Sequence, residues 1–401
     1  MKGNNLVKVK RQNETLIKDV IYRYGPISRL EISEILSLTP PTITTNISAM
    51  IERGIVYECV GLEDETHTLG RPPIKLDFVE DIFFVIGVEI NPYQTTICML
   101  NIRGKEKISL CYISKELEYI EEINYLSNKI LELIEKSGVE HNKILGVGVG
   151  IPGFVERNRG VLRKGTLRKW REQNISYDLS RRLDLPVILD NNAKARAVGE
   201  ELFSKEPRPD IFSYYLISYG IACPFYMRDM DFDKEQIGVG EAGHMVAILN
   251  GPKCETCGNY GCLEEVASER AIIKNIKKEI ENGRKTMITE ICDKLENLDI
   301  KEVIMAQECG DELANEIIQK AIMYLGATLA NIINFFNPPL VLVDGYIMKV
   351  KKNRRQFLRE VRKHIFGLYD EEVEVEFIEF DSLIGARGAA AMAIKKYFIR
   401  G

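Results

Sequence analysis

The chain has 401 residues, of which 45% are hydrophobic and 28% charged, and it carries a net charge of −5 at pH 7. This length allows two or three domains. The negative net charge argues against a protein whose whole surface binds nucleic acid. No apolar run approaches the length of a membrane span, which is about 20 residues. Residues 1–5 lack the apolar segment of a signal peptide. We therefore expect a cytoplasmic protein with no membrane partner.

The amino-terminal segment is basic and begins with a helical pattern. Residues 1–29 hold seven Lys and Arg against two acidic residues, a local balance of +5. Apolar residues at helical spacing predict a first helix that ends at Gly25-Pro26, and they are Leu16, Ile17, Val20, Ile21 and Tyr24. Ser28 and Glu31 have the spacing of a capping box, which predicts the start of a second helix.

A third helix is predicted to begin with Thr39 as its N-cap and Pro40 as its first residue. Its inward stripe is apolar, and its outward face is predicted to consist of Thr42, Thr44, Thr45, Asn46 and Ser48. Short hydroxyl and amide side chains approach base edges closely, so this face suits the major groove of DNA, although it lacks the arginine that gives the strongest guanine contact. A solvated surface with no DNA contact is the competing interpretation.

An extended hairpin is predicted over residues 55–76, interrupted by Gly70-Arg71-Pro72-Pro73. Two helices, a compact turn, a polar-faced helix and a hairpin follow one another in the order of a winged helix-turn-helix. We therefore predict a DNA-binding domain over residues 1–80, with operator DNA as its partner. A plain interaction module is the alternative.

From residue 83 onward, strand patterns alternate with helical patterns. Strands are predicted at 83–89, 95–101, 108–113, 144–151, 186–190, 213–218 and 340–343, with helices at 117–135 and after Asn192. A long apolar stripe at helical spacing predicts a further helix through residues 313–332. This alternation predicts an α/β body.

One loop gathers three cysteines and a histidine within nineteen residues: His244, Cys254, Cys257 and Cys262. The C-x2-C spacing with a third Cys and a nearby His is typical of zinc, and four such ligands leave a tetrahedral ion no open position. We therefore expect structural zinc in the loop 244–262, and buried thiols at the other six cysteines, which are scattered among apolar segments.

The same region carries a family resemblance. Gly240-Glu241-Ala242-Gly243-His244, followed by the loop from Cys254 to Glu264, resembles the G-E-x-G-H and C-x-C-G-x-x-G-C-x-E signature of the ROK family of bacterial repressors and sugar kinases. The loop departs from the signature because two residues separate its first two cysteines where the family usually has one. The resemblance extends over residues 11–396, and it implies a two-lobed, actin-like body over residues 81–401 with a sugar cleft between the lobes.

The resemblance also implies which residues bind the sugar. The loop from Gly148 to Gly153 matches the family's loop over the sugar, and the positions implied to hold its hydroxyls are Gly153, Asn191, Asn192, Glu241, His244 and Glu264. Carboxylates accept hydrogen bonds and amides both donate and accept, so this set suits a polyol. His244 is both an expected zinc ligand and an expected sugar-binding residue, because a zinc ion on one ring nitrogen leaves the other free to donate a hydrogen bond. In the repressor branch, the position of Arg71 is implied to enter the minor groove.

Kinase members of the family have a D-x-G-G-T-K turn, a G-T-G-x-G-G turn and a catalytic aspartate. This chain has Glu89 to Gln94 with Pro92 in the first turn, Gly220 to Phe225 with Pro224 in the second, and Asn192 in place of the aspartate. Proline removes an amide donor from a phosphate turn, and an amide side chain cannot accept the proton of the attacking hydroxyl. These changes predict a body without catalytic residues.

The sequence thus predicts a sugar-responsive transcriptional repressor of carbohydrate-metabolism genes, acting as a homodimer or higher homo-oligomer. If sugar closes the cleft and the closed body holds the paired DNA modules at the wrong spacing, sugar and operator DNA weaken each other's binding. The sequence leaves open whether the ligand releases or strengthens DNA binding. One competing interpretation is a cytosolic ATP-dependent sugar kinase with an added DNA-binding module. Another is a body that docks a protein and binds no sugar.

Overall fold

The computed structural model describes residues 6–59, 73–114, 117–165, 170–228, 238–292, 294–367 and 373–401. Within these ranges, no helix is long and apolar enough to cross a membrane. The chain forms an amino-terminal module and a body of two α/β lobes.

The amino-terminal module has three helices and a three-stranded antiparallel sheet in the order β1-β3-β2. Its elements are α1 (Leu6–Tyr24), β1 (Ile27–Ser28), α2 (Arg29–Leu36), α3 (Pro40–Glu52), β2 (Val56–Cys59) and β3 (Lys75–Phe78). Both predicted helix starts are confirmed: Ser28 and Glu31 form a capping box on α2, and Thr39 is the N-cap of α3. The stems of the predicted hairpin pair as β2 and β3, whereas its tip, including Arg71, lies outside the described residues.

The expected polar face of α3 needs one correction. Thr44, Thr45 and Ser48 are exposed and Thr42 is half-buried, but Asn46 is only 5% exposed. Asn46 lies three residues after Ile43 and four before Met50, so it belongs to the inward stripe of the helix. There its Nδ2 donates to the Thr42 carbonyl oxygen at 2.8 Å. The prediction that Asn46 faces outward is therefore wrong.

The first lobe is built on a five-stranded mixed sheet in the order β11-β7-β4-β5-β6. Its elements are β4 (Phe84–Ile90), β5 (Gln94–Asn101), β6 (Glu106–Ile113), α4 (Tyr119–Ser137), β7 (Ile144–Ile151), β8 (Gly153–Glu156), β9 (Val161–Gly165), β10 (Arg171–Gln173), α5 (Ile175–Leu183), β11 (Val187–Asn191) and α6 (Asn192–Phe203). Strands β4, β7 and β11 run parallel, so their carboxyl ends meet at one edge of the sheet.

The second lobe repeats this plan around the sheet β13-β12-β15-β16. Its elements are β12 (Ile211–Ile217), β13 (Ile221–Ala222), β14 (Phe225–Met227), α7 (Glu264–Ala267), α8 (Glu269–Glu281), α9 (Ile288–Ile291), α10 (Ile300–Glu308), α11 (Glu312–Phe336), β15 (Leu340–Gly345), α12 (Lys351–His364) and β16 (Glu374–Phe377). The predicted actin-like, two-lobed α/β fold is confirmed.

The chain then returns to the first lobe through α13 (Ile384–Ala393) and a carboxyl-terminal π-helical segment, Ile394–Ile399. Helix α13 packs directly on strands β4 and β7, at Gly87 and Gly148. A Cβ atom at either glycine would overlap the carbonyl oxygen of Ala386 or Ala389. These two glycines therefore allow the close approach of helix and sheet.

The amino-terminal module and the body share one hydrophobic core. Side chains of α1 and β3, including Ile21 and Phe78, pack in the same cluster as Leu100 of β5 and Phe398 of the carboxyl-terminal segment. Phe78 and Phe398 meet edge to face with ring centroids 5.0 Å apart. The module is thus packed against the body rather than joined to it only by chain connectivity.

Candidate functional site

A small cavity between the lobes brings most of the expected sugar-binding residues together. It is lined by Asn91, Pro152, Gly153, Asn191, Asn192, Leu216, Ser218, Tyr219, Gly220, Ile221, Ala222, Glu241 and Glu264. We call it the amide cavity. Five of the six expected residues are present, and His244 is not among the residues that line it.

The asparagines are placed by the junction of β11 and α6. Asn191 is the N-cap of α6, where its Oδ1 accepts from the Ala193 amide at 2.9 Å. Its Nδ2 donates to the carbonyl oxygen of Gly153 at 3.0 Å. Each of these amide atoms can form one more hydrogen bond, so Asn191 can position the loop and still bind a hydroxyl.

Two carboxylates face the asparagines from the second lobe. Glu264, at the start of α7, accepts from the Thr256 hydroxyl at 2.9 Å. Burial raises the pKa of Glu241 to about 7, the positive charge of Lys194 opposes this shift, and the charge of Glu264 adds to it. Near neutral pH, Glu241 is therefore present both as an acceptor and as a protonated donor.

The amide cavity is narrow in this conformation. Its volume is about 40 Å³, whereas small-molecule pockets typically hold about 300–1,000 Å³. This space is enough for one or two water molecules. A sugar ring therefore requires the lobes or their loops to move apart.

The predicted metal ligands form one cluster beside the cavity. One ligand atom from each of His244, Cys254, Cys257 and Cys262 lies within 4.8 Å of every other. Cys257 Sγ is 3.5 Å from Cys262 Sγ, and Cys254 Sγ is 3.7 Å from His244 Nδ1. Zn–S bonds of about 2.3 Å place two ligands of a tetrahedron about 3.7 Å apart, so the donor set and its spacing fit a zinc ion. Of the other six cysteines, Cys98 and Cys223 are buried as expected, but Cys111 and Cys309 are exposed, so the expected burial is wrong for these two.

The Cys/His loop is tied to both lobes. Its Thr256 donates its hydroxyl to Glu264 in the amide cavity, and the backbone carbonyl of Thr256 accepts from Lys164 of β9 in the first lobe. Arg270 of α8 also contacts the carboxylates of Glu255 and Glu265 at 2.6 and 2.5 Å. An ordered Cys/His loop therefore helps to fix the position of the Glu264 side chain.

The two turns that correspond to kinase phosphate turns close on each other. Tyr93, in the turn between β4 and β5, meets Tyr219 edge to face with ring centroids 6.0 Å apart. In the second turn, the backbone amide of Tyr214 donates to the carbonyl oxygen of Pro224, and Pro224 has no amide of its own. Each turn thus carries an aromatic side chain and a proline that has no amide donor.

A second cavity adjoins these turns, and its lining is acidic. It holds about 120 Å³, and the charged residues that line it are Glu89, Glu269, Asp299, Asp344, Asp381, Arg196 and Lys301. We call it the acidic cavity. Arg196 is held by Glu89 at 2.7 Å and by Asp344 at 2.6 Å, so its charge is already neutralised. Burial raises the pKa of Glu269 to about 8, with further contributions from Asp299 and Asp344.

Asp190, two residues before Asn192 in the chain, is held by hydrogen bonds. Its Oδ2 accepts from Arg157 at 3.0 Å, and its Oδ1 accepts from the Asn191 amide at 2.7 Å. The side chain is buried. These contacts orient Asp190 toward Arg157 and the start of α6.

Sequence reasoning missed the residues that join the amino-terminal module to the body. Arg103, in the turn between β5 and β6, donates to the carbonyl oxygens of Tyr22 and Ile21 at 2.7 and 3.2 Å and pairs with Asp77. Lys18 of α1 donates to the Phe398 carbonyl oxygen at 3.0 Å. No sequence signal identifies these pairs, because their partners are 26 to 380 residues apart.

A buried ion cluster adds a third connection. Glu201, near the end of α6, pairs with Lys395 at 2.8 Å and with both Arg23 of α1 and Arg228 at 3.8 Å. The side chains of Lys395 and Glu201 are only 6% and 2% exposed. Helix α6 thus begins with Asn191 and Asn192 at the amide cavity and ends at a cluster that includes the amino-terminal module.

The two-lobed body with its Cys/His loop defines a protein of the sugar-kinase-like class. Residues 85–396 match the model of the ROK family, and the chain belongs to this family. It is 26% identical over 398 residues to the xylose repressor of Caldicellulosiruptor bescii, covering 98% of this chain and 97% of that protein.

Two solved structures share the fold. A ROK family transcriptional regulator, a homologue of the Escherichia coli MLC protein, matches with a TM-score of 0.81 and 24% identity over 98% of this chain and 97% of its own. A ROK family glucokinase from Streptomyces griseus, in complex with glucose and AMPPNP, matches with a TM-score of 0.67 and 22% identity over 77% of this chain and 98% of its own. The regulator match extends over the amino-terminal module, whereas the glucokinase match covers a length close to that of the body alone.

Proposed function

We propose that the protein is a sugar-responsive, DNA-binding transcriptional regulator that represses genes of carbohydrate metabolism. Residues 1–80 bind operator DNA, and residues 81–401 sense the sugar. The name of the xylose repressor of Caldicellulosiruptor bescii, similar along nearly the whole chain, supports this assignment. The chemistry of the amide cavity supports a small polyol as the effector.

The observation that carries this proposal is the position of α6. Its first residues, Asn191 and Asn192, line the amide cavity, and Glu201 in its last turn pairs with Arg23 of the amino-terminal module. A helix of 12 residues is about 18 Å long and moves as a rigid element. A shift of the asparagines around a ligand therefore displaces the ion cluster at the other end.

The narrow amide cavity supports a direction for this coupling. Because about 40 Å³ cannot hold a sugar ring, sugar binds a wider conformation of the cleft. The docking of the amino-terminal module through Arg103, Phe398 and Glu201 belongs to the narrow conformation. We propose that DNA binds the narrow conformation. A ligand that binds one conformation better shifts the population toward it, so sugar would weaken DNA binding and DNA would weaken sugar binding by the same factor.

The DNA surface is the exposed face of α3, with Thr44, Thr45 and Ser48 at its centre and Thr42 at its margin. The amino-terminal turns of α1 add exposed positive charge from Lys8, Lys10 and Arg11, which suits backbone phosphates. Arg71 is proposed to enter the minor groove. One module reads only one half-site, so we propose that the protein binds as a homodimer or higher homo-oligomer.

The Cys/His cluster is proposed to hold one structural zinc ion. Its four donors satisfy a tetrahedral ion and leave no position for water or substrate. The residues His244, Cys254, Cys257 and Cys262 would hold the ion, whose role is to order the loop that supports Glu264 through Thr256.

The body is proposed to be catalytically silent. Kinases need amides to cradle phosphates and a carboxylate near the attacking hydroxyl. Here Pro92 and Pro224 interrupt the turns, Asn192 is an amide, and the acidic cavity repels the negative charge of a nucleotide. These features disfavour the alternative of an ATP-dependent sugar kinase.

The proposal is tested with the full-length protein and DNA fragments of its own genome. We expect selection from these fragments to yield a specific operator, and a panel of neutral monosaccharides to contain one that raises the melting temperature and releases this operator. If the protein binds specific DNA but no sugar of the panel raises its melting temperature, the protein-docking interpretation would be favoured. Sugar-dependent ADP release at ordinary kinase rates of about 1–100 s⁻¹ would favour the kinase.

A further inference from the structure

A third cavity lies at the start of β11, whereas the amide cavity lies at its end. It is bounded by the turn Arg157–Arg159, the amino terminus of α5, the start of β11 and the carboxyl-terminal segment. Its volume is about 470 Å³, more than ten times that of the amide cavity. This volume lies within the range of sites for small metabolites.

The charge of this cavity has one sign. Its lining contains Arg157, Arg159 and Lys396, and no carboxylate among the described residues that line it. Arg157 pairs with Asp190, and Arg159 contacts Glu156 at 3.3 Å, but both carboxylates lie outside the lining. The acidic cavity, with five carboxylates, has the opposite character. Because Arg157 and Arg159 are each paired with a carboxylate, as Arg196 is in the acidic cavity, the lining offers cationic N–H donors to an anion rather than unpaired positive charge.

Neutral donors complete the lining. It includes the hydroxyls of Ser176, Tyr177 and Ser180 and the amide of Asn174. The Ser176 Oγ is buried and has no hydrogen-bond partner among the described residues. An unsatisfied buried hydroxyl is unfavourable by roughly 1–3 kcal/mol unless a ligand or water bonds it. Ser176 lies in the first turn of the nine-residue helix α5, where the helix field also favours negative charge.

We propose that this cavity binds a small phosphate monoester, a phosphorylated metabolite distinct from the neutral sugar of the amide cavity. A phosphate carries a charge of about −1.5 to −2 and three strong acceptor oxygens. Arginine side chains, a lysine and hydroxyls are the donors that such a group uses in proteins. The proposal is independent of the proposed regulatory function.

The cavity lies between two parts of the molecule already described. Arg157 reaches Asp190, whose backbone leads directly into Asn191 of the amide cavity. Lys396 and Tyr397 lie between Lys395 and Phe398, which hold the amino-terminal module. A phosphate bound here would contact Arg157 and Lys396, each of which lies next to one of these groups, so the site is suited to a second effector.

The test is calorimetric titration of the full-length, metal-loaded protein with inorganic phosphate, with ribose 5-phosphate and with ribose. We expect saturable binding of both phosphates at one site per chain. Arg159→Gln should weaken ribose 5-phosphate binding about tenfold or more, because it removes a charged donor. Ser176→Ala should weaken it several-fold without loss of folding, because its hydroxyl has no partner within the described part of the protein. The matched control is Arg171→Gln, which removes a nearby exposed arginine outside the cavity.

Three outcomes would overturn the proposal. One is the absence of saturable phosphate binding. A second is an equal loss of affinity in Arg171→Gln and Arg159→Gln, which would indicate a general charge effect. The third is loss of ribose 5-phosphate binding in Glu241→Ala, which would place the phosphorylated sugar in the amide cavity instead.

Discussion

The amide cavity and the acidic cavity lie side by side between the lobes, yet their polar groups suit different tasks. The amide cavity combines two asparagines with Glu241 and Glu264, and the Cys/His loop supports it through Thr256. The acidic cavity has five carboxylates around an arginine that is already paired. The first arrangement can bind hydroxyls, whereas the second opposes phosphate. This contrast supports the proposal that the chain keeps sugar-binding residues and has lost those that transfer a phosphoryl group.

The largest expected effect concerns the support behind the amide cavity. Cys257→Ser should lose the proposed zinc ion and lower the free energy of unfolding by more than about 5 kcal/mol. The loss is large because the free energy of metal binding in such loops contributes directly to the stability of the folded state. Metal content and thermal unfolding measure this. Cys309→Ser is the control, since it replaces an exposed cysteine outside the cluster. A wild-type protein that is equally stable without metal would refute the structural role.

The next effect concerns the titration of the acidic cavity. Burial raises the pKa of Glu269 from its ordinary value of about 4.5 to about 8, so the folded protein binds more protons than the unfolded chain between these two pH values. Stability contributed by this group is therefore present below pH 4.5 and is lost as the pH rises to 8.

Glu269→Gln should remove this loss and stabilise the protein at pH 8 by roughly 2–4 kcal/mol, at about 1.4 kcal/mol per pKa unit. Denaturant unfolding at pH 5 and pH 8 measures the difference. Glu281→Gln, at an exposed position of the same helix, should have no such effect. An identical pH dependence in the wild type and Glu269→Gln would show that Glu269 does not titrate in this range.

The third effect concerns the hydroxyl acceptors of the amide cavity. Glu241→Ala should weaken sugar binding tenfold or more, because a hydrogen bond to a charged group contributes roughly 1.5–3 kcal/mol. Operator binding without sugar should be unchanged, because Glu241 is not in the amino-terminal module. Calorimetry with the sugar and fluorescence anisotropy with the operator provide the two readouts. An unaltered sugar affinity would mean that the sugar binds elsewhere.

The smallest expected effect is on catalysis. Asn192→Asp restores a carboxylate at the position of the catalytic base, but it leaves Pro92 and Pro224 in the turns. A base without a phosphate cradle does not position the γ-phosphoryl group. We therefore expect no sugar-dependent ADP release from the wild type or from this variant in a coupled assay. Activity in Asn192→Asp alone would show that the turns still bind nucleotide.

Much of the fold follows from local patterns in the sequence. The capping box at Ser28, the N-cap at Thr39 and the strand patterns of the body are local signals, and the structure contains the corresponding elements. The sequence prediction for Asn46 is wrong because it follows the polarity of the side chain and not its position in the helical repeat. The stripe through Ile43, Ile47 and Met50 already places residue 46 on the inward side.

The candidate site was predictable where family motifs carry it and not where distant residues meet. The motifs identified Asn191, Glu241 and Glu264, which line one cavity in the structure. The pairing of Arg23 with Glu201 depends on the docking of the amino-terminal module, for which the sequence has no local signal. Likewise, the volume of the amide cavity depends on how closely the lobes approach, which side-chain type alone does not determine.

The most direct test of the central claim is a linkage measurement with the effector sugar and the selected operator. The dissociation constant of the operator is measured without sugar and with saturating sugar, and that of the sugar is measured without DNA and with saturating DNA. The account predicts that both constants rise by the same factor, because coupling between two binding sites is reciprocal. It also predicts a result for Glu241→Ala: a sugar concentration that saturates the wild type should have little effect on the affinity of this variant for the operator. An operator affinity that saturating sugar leaves unchanged, in a protein that binds both ligands, would contradict the account.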